Sequence, residues 1–221
     1  MHSYQFRWDV VSGNIGFLMS GLEMTLVISA ASLVLAMIGG LLLAVIDMSR
    51  FRPVRMVGLA FGEIIRNTPI LVQLLWVYYV LPIVFGLQIS SFAALLIGLS
   101  VYSASFISEV YRSGIQAIPK GQSEAAQVLG LSSFQSFRRI VLPQAVRLTL
   151  PPLASNFVQL IKYSSLGSVI SVTEITRRGT ELSSSTFRPL EIFTFVAVVY
   201  FCICYPLAMA IRIWERRLAN R

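Results

Sequence analysis

The chain has 221 residues, of which 56% are hydrophobic and only 13% charged, with 18 Lys and Arg against 10 Asp and Glu for a formal net charge of +8. A soluble domain carries about a quarter charged residues, so bilayer rather than water is the expected solvent. Cys202 and Cys204 lie too close together in an apolar run to pair with each other. With His2 as the single histidine they leave no metal-ligand cluster, and the absence of a Gly-x4-Gly-Lys-Ser/Thr loop excludes ATP binding by that device.

Taken in chain order, residues 1–19 contain Arg7, Asp9 and Asn14 and lack a basic start followed by an apolar core. They are expected to be an extracytoplasmic segment rather than a cleavable signal peptide. Residues 24–46 carry no charge, enough to cross a hydrocarbon core that needs about 20 residues, and predict a first span over 24–47. Gly39-Gly40 and Gly58-x3-Gly62 offer close helix approach. Residues 67–108 are uncharged but too long for one helix. Pro82, Gly86, Gln88, Ser90 and Ser91 divide them into spans over about 67–87 and 90–111. Glu63/Arg66 and Glu109/Arg112 sit three apart at helix ends, a spacing that suits structural ion pairs.

Residues 118–143 then leave the membrane. Pro119 suits a first helical turn. Ala125, Ala126, Val128 and Leu129 alternate with Gln122, Glu124 and Gln127 as a short two-faced helix, and Gly130 suits a left-handed stop. Ser132 with Gln135 reads as a capping box for a second short helix, followed by Arg138 and Arg139. A fourth span, 148–171, is interrupted by Pro151-Pro152 and by Lys162. Prolines free backbone carbonyls that only protein or water can satisfy at membrane depth, so a broken fourth span lining a pathway is expected. Lys162 could snorkel to the headgroups, face a cavity or enter an ion pair. Glu174, Arg177, Arg178 and Glu181 fall in an outer loop, free for a partner or simply solvated. The fifth span is 191–212 and the tail 213–221.

Five spans put the termini on opposite sides. With the N-terminus outside, Arg50, Arg52, Arg55, Arg66, Arg112, Lys120, Arg138, Arg139, Arg147, Arg212, Arg216, Arg217 and Arg221 share one side. Only Arg7, Arg177, Arg178 and Arg188 lie on the other. Cytoplasmic loops are the Lys/Arg-rich ones, so 118–143 is expected in the cytoplasm and the positive charge needs no nucleic acid. The fold class is an all-α membrane protein with five transmembrane helices, residues 20–212 forming the transmembrane domain.

Glu124-Ala125-Ala126, Gly130, Ile140, Leu142 and Pro143 match the E-A-A-x3-G-x9-I-x-L-P signature. The chain thereby resembles the membrane subunits of bacterial ABC importers. The stretches 66–74, 115–122, 142–147 and 162–166 are similar to those of polar amino acid permeases of the histidine/glutamate/glutamine type, although Tyr163 and Ser164 stand where Asp and Thr are common. The resemblance covers roughly residues 18–218. It implies a permease subunit in the bacterial inner membrane, without its own ATP site or cofactor, pairing as a homo- or heterodimer. ATP-Mg would sit on a separate ABC ATPase subunit, and an extracytoplasmic solute-binding protein would deliver the substrate. The segment 118–143 would be the coupling helix, with Gly121, Glu124, Ala125, Ala126, Gly130 and Arg138 at the ATPase. Lys162, Ser164, Ser165, Gln73 and Asn156 are the candidates for the translocation pathway. The opening Tyr4-Gln5-Phe6-Arg7-Trp8-Asp9 leans towards glutamate or aspartate as substrate.

The competing reading is a secondary carrier or channel working alone. The lack of an internal repeat and of an acidic proton relay within a span speaks against it. A membrane-embedded enzyme finds no catalytic pair at membrane depth.

Overall fold

The computed structural model describes residues 4–219; His2 and Arg221, noted above, lie outside them. The described elements are helical throughout: α1 (Asp9–Ser12), α2 (Ile15–Asp47), α3 (Arg52–Arg66), α4 (Ile70–Leu75), α5 (Leu81–Phe85), α6 (Ser91–Gln116), α7 (Lys120–Val128), α8 (Ser133–Ser136), α9 (Leu142–Tyr163), α10 (Ile175–Thr186) and α11 (Pro189–Ala219). Wide π turns at Trp76–Val80 and Phe137–Val141 join α4 to α5 and α8 to α9, and a 3-10 segment, Ser164–Ile170, follows α9.

Among the described residues three helices are long and apolar enough to cross a membrane: Ile15–Asp47, Ser91–Gln116 and Pro189–Arg217. Arg52–Arg66 and Ile70–Phe85 qualify only when taken together, which gives up to four crossings where the sequence suggested five. The remaining expected span, α9, fails that criterion because Arg147, Pro151, Pro152, Asn156 and Lys162 dilute its apolar content. Along α2, Val34, Ile38, Leu41, Leu42 and Val45 are all exposed. An outward apolar belt of that kind is suited to lipid.

The fourth expected span is not broken at its prolines. α9 runs through Pro151 and Pro152 without interruption. Proline's fixed φ is itself helical, and its penalties are a missing donor and a clash with the carbonyl four residues back. The adjacent pair loses two neighbouring bonds and leaves the ladder on either side to carry the helix. The breaks in the α-helical pattern come instead just before Pro82 and Pro143. There Leu81 N–H reaches back to Trp76 O and Leu142 N–H to Phe137 O, the five-residue bond of a wide turn.

The chain divides into two compact units. The first comprises 1–33, 69–99 and 157–208, and its core gathers Ile28, Leu74, Leu95, Leu99, Leu160 and Ile170. A smaller cluster holds Val11, Leu18, Leu182 and Ile192. The N-terminal segment is strapped to the start of α11 by the fully buried Glu191, which accepts from Arg7 N–H at 2.9 Å and from the Tyr4 hydroxyl. Glu174, expected in a solvated or partner-facing loop, is also fully buried. It caps α10, accepting from Thr176 N–H at 2.8 Å, Arg177 N–H at 2.6 Å and Tyr200 O–H at 3.1 Å. Arg177 and Arg178 pair with Glu181 at 3.1 and 3.3 Å.

The second unit comprises 34–68, 100–156 and 209–221. Gly40 lets α2 close on α6, where a Cβ would come within 2.7 Å of Ile107 Cγ2. Ser103, Ser105 and Ser108 keep that face of α6 slim and buried. The expected ion pairs form, with Arg66–Glu63 at 2.8 Å and Arg112–Glu109 at 2.6 Å. Arg66 also donates to Ser105 O at 2.9 Å.

Burial pushes the Glu174 carboxyl above the usual carboxylate range, against its backbone hydrogen bonds, which pull it down. A raised native pKa contributes stability that is complete below the unfolded value and lost as pH rises through the native one. Glu174→Gln, which resembles the protonated form, should therefore cost less than Glu174→Ala. The alanine strands two backbone donors at about 1–3 kcal/mol. Thermal unfolding of the two variants in detergent, from pH 4 to 8, checks the order.

Candidate functional site

The polar segment folds as two short helices set at a fixed corner. Pro119 takes the N-cap of α7, one residue before the first-turn position anticipated for it, with ψ of 130°. This is the extended geometry a residue can keep just outside a helix. At the other end Gly130 has φ of +80°. Leu131 N–H donates to Ala126 O at 3.0 Å and Gly130 N–H to Gln127 O at 2.9 Å, the paired bonds of a Schellman stop. One residue later Ser132 opens α8 with the anticipated capping box. Gln135 N–H donates to Ser132 Oγ at 3.3 Å, and Ser132 N–H to Gln135 Oε1 at 3.0 Å. Gln144 Nε2 donates to Gln122 Oε1 and, at 2.8 Å, to Ile140 O, tying the start of α9 to α7.

Of the residues expected to meet a partner, Gly121, Glu124, Ala125, Gly130 and Arg138 are exposed. Apart from its chain neighbours and its own helix backbone, nothing lies within 4 Å of where a Gly121 Cβ would stand. Ala126 differs: it is 1% exposed and is turned into the chain's own body. Its smallness serves internal packing, while Ala125 keeps the outer face low. Sequence reasoning named Val128 and Leu129 as an apolar face but did not place them at a partner, and it missed Phe134. Val128 is 88% exposed, Leu129 80% and Phe134 69%, and Phe134 borders a hollow with Gln135, Arg138 and Arg139. The signal was present: large apolar residues flank a glycine stop in a segment too polar to enter lipid. A cleft between the short helices is lined by Glu124, Gln127, Ser133 and Phe137.

The pathway candidates differ in burial and in their hydrogen bonds. Lys162 is exposed, and its ammonium makes no ion pair among the described residues. Ser164 is fully buried and bonds its own helix at Ile161 O, 2.8 Å away, while Ser165 does the same to Lys162 O at 2.7 Å. Gln73 is half-buried on α4. Asn156, also half-buried, donates to Pro152 O at 3.1 Å and falls in the second unit.

Residues 16–220 match the family model described as binding-protein-dependent transport system inner membrane component. The chain belongs to that family. Among its relatives the glutamine transport system permease protein GlnP of Escherichia coli strain K12 is 39% identical, over 97% of this chain and 98% of the relative. The probable glutamine ABC transporter permease protein GlnM of Bacillus subtilis is 34% identical over 95% and 97%. The glutamate/aspartate import permease protein GltK of Escherichia coli O6:H1 is 32% identical over 98% and 100%. A solved amino acid ABC transporter, described with histidines, superposes with a TM-score of 0.91 at 32% identity, over 97% of this chain and the whole of that one. The methionine transporter MetNI, at 19% identity and a TM-score of 0.70, shares the fold. This binding-protein-dependent permease is thus an all-α inner membrane component whose relatives are polar amino acid ABC permeases.

In this permease the corner at Gly130 depends on a left-handed backbone. Gly130→Ala should loosen the end of α7 at a cost of about 1 kcal/mol. Hydrogen exchange at the amides of Gly130 and Leu131 should accelerate about fivefold, while exchange in α6 stays unchanged.

Proposed function

We propose that this chain is the permease subunit of an ATP-driven importer of a polar amino acid, with residues 118–143 docking on a separate ATPase that carries the ATP and magnesium. The observation that supports this most directly is the doubly capped corner and its exposed Val128, Leu129 and Phe134. Apolar side chains of that size on a segment unfit for lipid are suited to a protein groove. The hydrogen-bonded stop and start around Gly130 keep them in one arrangement. Glu124, Ala125 and Arg138 supply a charged, low rim in which two opposite charges can set the register of a partner.

Orientation follows from the basic residues: N-terminus outside, C-terminus and docking corner in the cytoplasm, with α9 counted as a crossing to make five. An extracytoplasmic solute-binding protein delivers the substrate, and a second permease subunit completes the pathway. Lys162, exposed and without an ion pair among the described residues, is the residue we place nearest a substrate carboxylate. For the substrate, the chain's opening residues favour glutamate or aspartate. The order of similarity among the relatives favours glutamine, and we give that order more weight because it rests on the whole chain.

Co-purification with the partner ATPase tests the docking assignment. Leu129→Asp, and Glu124→Lys combined with Gly130→Pro, should each lower ATPase retention about tenfold or more while the permease stays inserted. The second variant also removes the Gly130 donor and demands a φ that proline cannot adopt. Retention equal to wild type, or uptake in the absence of any ATPase, would return the autonomous carrier. Uptake of labelled glutamine, glutamate and aspartate into proteoliposomes holding the complete transporter ranks the substrates, with glutamine expected first.

A further inference from the structure

Three acidic side chains are buried among the described residues: Asp47, Glu174 and Glu191. The two glutamates accept hydrogen bonds from backbone and tyrosine donors. Asp47, at the end of α2, is 7% exposed, and its Oδ1 has no hydrogen-bond partner. A carboxylate taken out of water with too few donors is costly, and Asp47 makes no hydrogen bond or ion pair among the described residues. Arg66 and Arg112 are close enough to act on its charge. Their guanidinium bonds go elsewhere, however, Arg66 to Glu63 and Ser105 O and Arg112 to both oxygens of Glu109.

Asp47 lines a cleft with Met48, Arg55, Leu59, Arg112 and Gln116. Gly58 forms its back, where a Cβ would strike Asp47 Oδ1 and Ile46. α3 thus approaches on a glycine and fixes the carboxyl in place. Arg55 enters no salt bridge among the described residues, and the Nη1 of Arg112 carries no hydrogen bond among them. The cleft therefore sets one carboxylate against two guanidinium groups, with an amide at Gln116 and apolar walls at Met48 and Leu59. A simple cation would be drawn to Asp47 but repelled by the arginines. A simple anion would meet the opposite conflict. A molecule carrying an ammonium and an acidic oxygen group a few bonds apart satisfies both at once.

The geometry points to a zwitterion-binding site at this cleft, the ammonium on Asp47 and the anionic group on Arg55 and Arg112. Two sources share that chemistry, the headgroup of phosphatidylethanolamine and a free α-amino acid. The cleft uses none of the residues named above for docking or for the pathway, although its Gln116 also borders the cleft beside α7, and the proposal stands whichever substrate is transported.

The test uses the permease bound to its ATPase in nanodiscs of phosphatidylglycerol. O-phosphoethanolamine and L-glutamine are titrated by calorimetry, with ethanolamine and inorganic phosphate as single-charge controls. Native mass spectrometry counts the phosphatidylethanolamine retained from mixed-lipid discs. At least one zwitterion should bind once per chain, about tenfold or more tighter than either control. Asp47→Asn and Arg55→Gln should each weaken it about tenfold, the scale of one lost charge-assisted hydrogen bond. Arg55 is exposed, so its variant folds even if the Asp47 variant does not. Retained phosphatidylethanolamine that both variants release identifies the lipid as the source. Glutamine binding that both variants abolish identifies the free amino acid. Glutamine binding that survives both belongs to the transport pathway and, with no other zwitterion bound, overturns the site. Equal binding of ethanolamine or phosphate, or no binding at all, overturns it too.

Discussion

In a bilayer a backbone N–H or C=O has no water to turn to, and that constraint organises this molecule. The described residues answer it with helices, and many of their small polar side chains follow the same rule. Thr25 donates back to Gly21 O, Ser29 to Thr25 O, Ser105 to Tyr102 O and Thr149 to Val146 O, each within its own helix. A hydroxyl spent in this way occupies little room and asks nothing of lipid. Ser29, Ser105 and Ser108 are buried at little polar cost in this way, whereas Ser32 and Ser100 keep a buried Oγ without a partner among the described residues. The same economy explains why the buried Glu174 lies at a helix start, where unpaired backbone donors are concentrated, and accepts from two of them.

Where the chain leaves the apolar region the solution changes from ladder to cap. α7 and α8 are too short to persist by propagation. Each is closed by a specific device, the Schellman bonds at Gly130 and the reciprocal pair of Ser132 and Gln135. With both ends satisfied the corner can present large apolar side chains outward without collapsing onto them. The docking role proposed for the segment and its local chemistry have one origin: a surface that receives another protein has to be stiff before it can be specific.

Much of this was legible in the residues. The uncharged runs gave α2, α6 and α11, and Gly130, Ser132 and Gln135 gave the corner, because each device has a local signature that tertiary packing does not override. Ion pairs three apart were equally local. The misses were those in which the environment decides. Nothing near Glu174 announces that α10 would be capped by a buried carboxylate bonded to Tyr200, far along the chain. Ala126 and Ala125 look alike in sequence, and only the helix phase sends one inward. Pro151 and Pro152 suggested a break because prolines free backbone carbonyls that need other partners at membrane depth. Two in succession share one disruption, and α9 continues through them.

The wide turns at Trp76–Val80 and Phe137–Val141 have a mechanical consequence. A stretch bonded five residues back has a slightly larger bore and lacks the tight axial registry of the α ladder. Small bends can be taken up there without breaking further bonds. The second turn lies between α8 and α9, so a push on the corner meets a compliant joint before it meets the long helix. Such a joint filters the input. It can let the corner settle into a partner's contours at little cost, while only a sustained, large displacement is passed on along α9.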